Sequence, residues 1–173
     1  MPQVVTAPTL VFGWGNPSRG DDALGPLFVD RVAAWGLADV ECLTDFQLQI
    51  EHALDLCGRR RILFVDASTD AAAPYTTSWL QAQRDVSFSS HALAPQALLQ
   101  VYRDIHGAAP PPAMLLAIRA ASFELGAAPA AAASAHLEAA LTWARDWLQH
   151  DHEQSKTVTT ALTAHGPGAL SAS

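Results

Sequence analysis

Two adjacent carboxylates, Asp21 and Asp22, follow a glycine-rich segment that reads Gly13-Trp14-Gly15-Asn16-Pro17-Ser18-Arg19-Gly20. Such a turn, feeding a helix, usually cradles phosphate, because the free amides at a helix start carry partial positive charge. Two carboxylates at that start repel a phosphate and suit a cation. The glycine spacing agrees. A dinucleotide fingerprint beginning at Gly13 and Gly15 needs its third glycine at Ser18, and Gly20 comes too late. One aspartate could serve as a helix N-cap, which leaves the second to be explained by the helix dipole or by function. Two further groups belong to the same chemistry. Asp66 closes the apolar run Arg61-Ile62-Leu63-Phe64-Val65, and His91 lies beyond a weaker strand pattern at Thr76–Gln81. Two carboxylates and an imidazole form a mixed oxygen and nitrogen set suited to nickel, zinc or another borderline divalent ion, with coordination positions left open.

The elements that must position these groups alternate along the chain. Strands are expected at Leu10–Trp14, Val40–Thr44, Arg61–Asp66, Thr76–Gln81 and Met114–Arg119. Helices are expected at Ala23–Trp35, Gln49–Cys57, Pro95–His106 and about Ala130–His150. The continuous apolar run at Arg61–Asp66 marks a strand covered on both faces. This order predicts an α/β protein, a three-layer α/β/α sandwich around a mostly parallel, roughly five-stranded sheet. Ligands of such sheets bind beyond the carboxyl ends of the strands, the edge to which this reading assigns Asp22, Asp66 and His91. Residues 1–150 are expected to form one domain and 151–173 a flexible C-terminal tail, since apolar spacing fades into Thr, Ala, Gly and Ser.

Composition narrows the partners. The chain has 173 residues, half of them hydrophobic, and a formal net charge of −7 with no basic stripe, which argues against nucleic acid. No apolar run reaches the roughly 20 residues of a membrane span. Met1-Pro2-Gln3-Val4-Val5 lacks the basic and apolar regions of a signal peptide, so a cytoplasmic protein is expected. Cys42 and Cys57 have no metal spacing and read as buried free thiols. No nucleophile is evident either, because Ser18 has no adjacent histidine and neither cysteine begins a helix. Glu51 and His52 read as solvated or partner-facing, and His106, His136, His150 and His152 as surface residues.

The segment Gly13–Gly25, with Val65-Asp66-Ala67 and Ser90-His91-Ala92-Leu93, resembles the hydrogenase maturation endopeptidases. The resemblance runs in the family's order from about Leu10 to Leu148, and Gly-x-Gly-Asn followed by Asp-Asp is its most specific element. Phe46-Gln47-Leu48-Gln49-Ile50-Glu51-His52 and Phe123-Glu124-Leu125-Gly126 resemble the branch serving soluble NAD-linked hydrogenases. The resemblance implies an endopeptidase that removes the C-terminal extension of a nickel-iron hydrogenase large-subunit precursor once nickel is inserted. It implies Asp22, Asp66 and His91 as catalytic and metal-contacting residues, toward nickel that arrives with the substrate. A non-catalytic nickel-sensing chaperone of the same precursor is the alternative. Peptidyl-tRNA hydrolases also start with a strand leading to Gly-x-Gly-Asn-Pro, but their histidine-asparagine motif and basic face are absent here.

Overall fold

Strand β1, Thr9–Trp14, is buried at all six positions and forms the spine of the sheet. In the computed structural model, which describes residues 3–84 and 92–163 and side chains through His150, β1 pairs in parallel with β2 (Val40–Asp45) and with β3 (Arg61–Ser68). Strand β5 (Ala113–Arg119) adds in parallel to β3, and β4 (Tyr75–Leu80) closes the edge antiparallel to β5. The strand order is β2-β1-β3-β5-β4. Four parallel strands and one antiparallel edge strand agree with the expected sheet.

Residues Met1–Leu141 form one compact unit. Alternation along β1 and β3 divides its apolar side chains between two faces. Leu10, Phe12, Trp14, Ile62 and Phe64 meet Leu48, Ala53 and Leu56 from the β2–β3 connection and Leu98 and Leu99 from helix α2, Pro95–His106. Helix α1, Leu24–Ala33, packs on β1, β2 and β3 and buries Leu24, Phe28, Val29 and Val32. Each fully buried Leu or Phe contributes about 1.5–3 kcal/mol. Helix α2 starts with Pro95 in its first turn and stops at Gly107, whose φ of 62° ends the helix in a left-handed turn. The helix expected at Gln49–Cys57 is a 3-10 helix over Ile50–Leu56.

Three boundaries differ from expectation. Strand β3 continues past Asp66 to Ser68, so Asp66 lies within the strand rather than at its end. Strand β4 is antiparallel, so it finishes with Leu80 opposite Ala113, at the amino edge of the parallel strands. His91 therefore follows a strand that ends away from the proposed site edge, and His91 itself lies outside the described residues. Helix α3, Ala131–Thr163, runs past His150, where a tail was expected to begin. A second unit begins at Thr142, and in it Trp143 and Trp147 stack with ring centroids 5.8 Å apart. Among the described residues, no helix is long and apolar enough to cross a membrane.

Candidate active site

The glycine turn is shaped by close approach. A side chain at Gly15, where φ is +147°, would collide with the Asp22 carbonyl oxygen, and one at Gly25 would collide with the Trp14 carbonyl oxygen. Bare backbone at these two positions lets the start of α1 sit directly over the end of β1. Between them the chain turns tightly. Asn16 Oδ1 accepts the Ser18 N–H at 2.9 Å, and the Asn16 carbonyl accepts the Arg19 N–H at 3.1 Å.

Asp21 and Asp22 part company here. Neither caps a helix. Asp22 Oδ2 accepts the Asn16 N–H at 2.8 Å, which folds its carboxylate back over the turn and leaves it partly exposed. Asp21 is only 1% exposed and points the other way. Its Oδ2 accepts the N–H groups of Ala121 at 2.7 Å and Ser122 at 3.2 Å, and its Oδ1 accepts that of Ala130 at 2.7 Å. Burial works against its charge. The amides of Ala121, Ala130 and Ser122, with His136 nearby, outweigh that cost and hold its carboxyl below the usual range.

Asp66, on β3, faces the same end of the sheet as Asp22. Burial pushes its carboxyl up to about 7; the Ala67 N–H opposes the rise and the negative charge of Asp22 adds to it. The two carboxylates therefore feel each other, one of them in a poorly hydrated setting. A divalent cation stabilises such an oxygen pair by neutralising both charges. The residues present fit a hard or borderline metal to that extent. Among the described residues no group of three His, Cys, Asp or Glu side chains is placed to hold a metal ion. His91, the third expected ligand, falls outside them.

A third acid stands on this edge. Asp45 ends β2 opposite Trp14, and its carbonyl accepts the Gly15 N–H at 3.1 Å. Its Oδ2 lies 3.2 Å from His52 Nε2. His52 Nδ1 accepts the Gln49 N–H at 2.8 Å, so in its neutral form the ring carries its proton on Nε2 and donates it to Asp45. The ring also meets Phe12 edge-on, with centroids 4.6 Å apart. His52 is thus held by the fold and is not a solvated residue. The capping spacing from Gln49 to His52 was the signal for it in the sequence.

Other expectations change in detail. His136 is half-buried and donates from Nδ1 to the Arg119 carbonyl at 3.1 Å. Both cysteines are free and half-buried. Burial pushes the Cys42 thiol up to about 11, with Glu41 and Asp30 adding to the rise. Cys57 Sγ lies 3.3 Å from His106 Nε2, where the 3-10 helix meets α2. A cavity of about 230 Å³ lined by Leu80, Leu99, Arg103 and Pro110–Pro112 sits where β4 ends and β5 begins, at the opposite edge from the carboxylates.

No protein-family model matches the chain, and no curated protein matches its sequence. Its fold does match solved structures. One is a [NiFe] hydrogenase maturation protease, HycI, from Thermococcus kodakarensis KOD1, at a TM-score of 0.65 and 19% identity over 83% of this chain and 94% of that one. A second is the hydrogenase maturating endopeptidase HybD from E. coli, at 0.64 and 22%, covering 83% and 93%. A third is a hydrogenase 2 maturation peptidase from a Thaumarchaeota archaeon, at 0.60 and 22%, covering 81% and 97%. The chain has the α/β fold of the hydrogenase maturation proteases.

Proposed function

We propose that the protein is an endopeptidase that removes the C-terminal extension of a nickel-iron hydrogenase large-subunit precursor after nickel insertion. The observation that carries this reading is the pairing of Asp22 with Asp66 at the carboxyl edge of a sheet whose fold is that of maturation proteases. Nickel bound in the precursor is part of the substrate. Asp22, Asp66 and His91 supply two oxygen donors and one nitrogen donor to its open coordination positions, so that only a loaded precursor seats its scissile bond correctly. Nickel would polarise that carbonyl or a water as a Lewis acid.

Asp66 is suited to move the proton. Its carboxylate, through the oxygen not given to nickel, is placed to act as a general base. As a carboxylate it accepts a proton from water while the water oxygen bonds to the scissile carbonyl carbon. The carbon–nitrogen bond then breaks, and the same proton passes to the leaving amine. The reaction is assigned to the cytoplasm, a setting that suits two free thiols. The net charge of −7 and the lack of a basic stripe leave no role for nucleic acid.

Purified protein mixed with nickel-loaded precursor should shorten the large subunit by the mass of its C-terminal extension, and nickel-free precursor should resist. Stable binding of the loaded precursor without any mass loss would instead establish a nickel-sensing chaperone.

A further inference from the structure

Asp21 lies beside the proposed site and takes no part in the chemistry assigned to it. A buried carboxylate costs several kcal/mol unless it is well paired, yet this one is spent on three amides of a single connection. Within the connection between β5 and α3, residues 121–130 have little regular structure and are gripped near both ends by that carboxylate, at Ala121 and Ser122 and again at Ala130. The grip continues through the backbone. Asp21 N–H donates to the Ser122 carbonyl at 2.9 Å, Gly20 N–H to Ala127 at 3.0 Å, and Gly126 N–H to Ser18 at 2.6 Å. Arg19 Nε donates to the Phe123 carbonyl at 3.4 Å, and Arg19 forms an antiparallel bridge with Leu125. The glycine turn and this loop are therefore zipped into one body. On it, Phe123 and Leu125 stay 37% and 70% exposed, on the strip that pairs with Ser18 and Arg19, within four residues of Asp22.

We propose that Asp21 is a positioning residue that clamps the 121–130 loop to the glycine turn, and that Phe123 and Leu125 on this loop contact apolar side chains of the polypeptide substrate next to the scissile bond. This rests on the peptidase reading above. The occupant follows from continuity with the site: the strip that Arg19 and Leu125 form adjoins the turn that carries Asp22, where a polypeptide substrate would lie. An asparagine at position 21 cannot replace the clamp, because its amide nitrogen would face an N–H donor where a carboxylate oxygen now accepts.

Two variants test the proposal. Asp21→Asn should keep its circular dichroism spectrum while chymotrypsin under native conditions nicks the chain at Phe123 or Leu125 about tenfold faster than in wild type, as a locally opened segment does. The double variant Phe123→Ser, Leu125→Ser retains the clamp and should raise KM for nickel-loaded precursor about tenfold with kcat nearly unchanged, the signature of lost substrate binding. An unchanged nicking rate in a folded Asp21→Asn protein overturns the clamp. An unchanged KM in the double variant overturns the substrate contact, and it does so even if Asp21→Asn fails to fold. A wild-type protein that neither binds nor cleaves the precursor defeats the peptidase reading, and the substrate contact with it; the nicking comparison still decides the clamp.

Discussion

Asp66 has a carboxyl near 7 in the fold, against about 3.9 in an unfolded chain. A raised acid stabilises the fold least when ionised. Relative to a neutral side chain, its contribution is fully present below about pH 4 and is lost as pH rises through about 7. In metal-free protein, Asp66→Asn should therefore gain melting temperature over wild type between pH 5 and pH 8. A pH-independent difference between the two would show that Asp66 is well hydrated. Because Asp22 contributes to the rise, Asp22→Asn should move the midpoint of that curve to lower pH. Alanine at Asp22, Asp66 or His91 should slow precursor cleavage on the order of 10²-fold or more, the usual weight of a proton-transfer or electrostatic group. The far-ultraviolet spectrum should stay native, and normal cleavage by any of the three variants would remove that residue from the site.

At the level of elements, the strand–turn–helix unit from Thr9 to Ala33 is the positioning device. Its glycines matter through what they allow to approach. Gly15→Ala places a side chain against the Asp22 carbonyl in a backbone conformation that alanine avoids, so it should destabilise by about 1–3 kcal/mol, as overpacked sites do, and displace Asp22. Chemical denaturation together with the cleavage assay checks both effects, and an alanine variant of native stability and activity would contradict them. The β2 edge is braced separately. His52→Ala removes the side chain that receives the Gln49 N–H and donates to Asp45, at a cost of about 1 kcal/mol, typical of a lost cap.

For the whole molecule, the direction of β4 matters most. Four parallel strands aim their carboxyl ends at one edge, and the antiparallel β4 returns the chain to the other. Beyond the sheet, the segment after Glu153 has too few regularly spaced apolar residues to offset about 1–2 kcal/mol of backbone entropy per ordered residue through tertiary packing. Truncation after Glu153 should leave the melting temperature and the cleavage rate close to those of the full chain. A loss of several degrees would show that the C-terminal residues pack on the domain.

Local pattern was enough for the elements. The continuous apolar run of β3 and the shorter patterns of the other four strands placed the sheet, Pro95 marked the start of α2, and the glycine turn with its acids stood out by composition. These signals are short-range, because strand burial and helix ends are governed by neighbouring residues. The sequence also brought Asp22 and Asp66 to one edge, since parallel strands share a direction. Tertiary structure alone separated Asp21 from Asp22. The amides that receive the Asp21 carboxylate lie 100 to 109 residues away, whereas the amide that meets Asp22 lies six residues away. The direction of β4 was equally hidden, because an edge strand reads the same whichever way it pairs. Distant backbone partners and strand polarity leave no local trace in residue type, so only the folded chain could decide them.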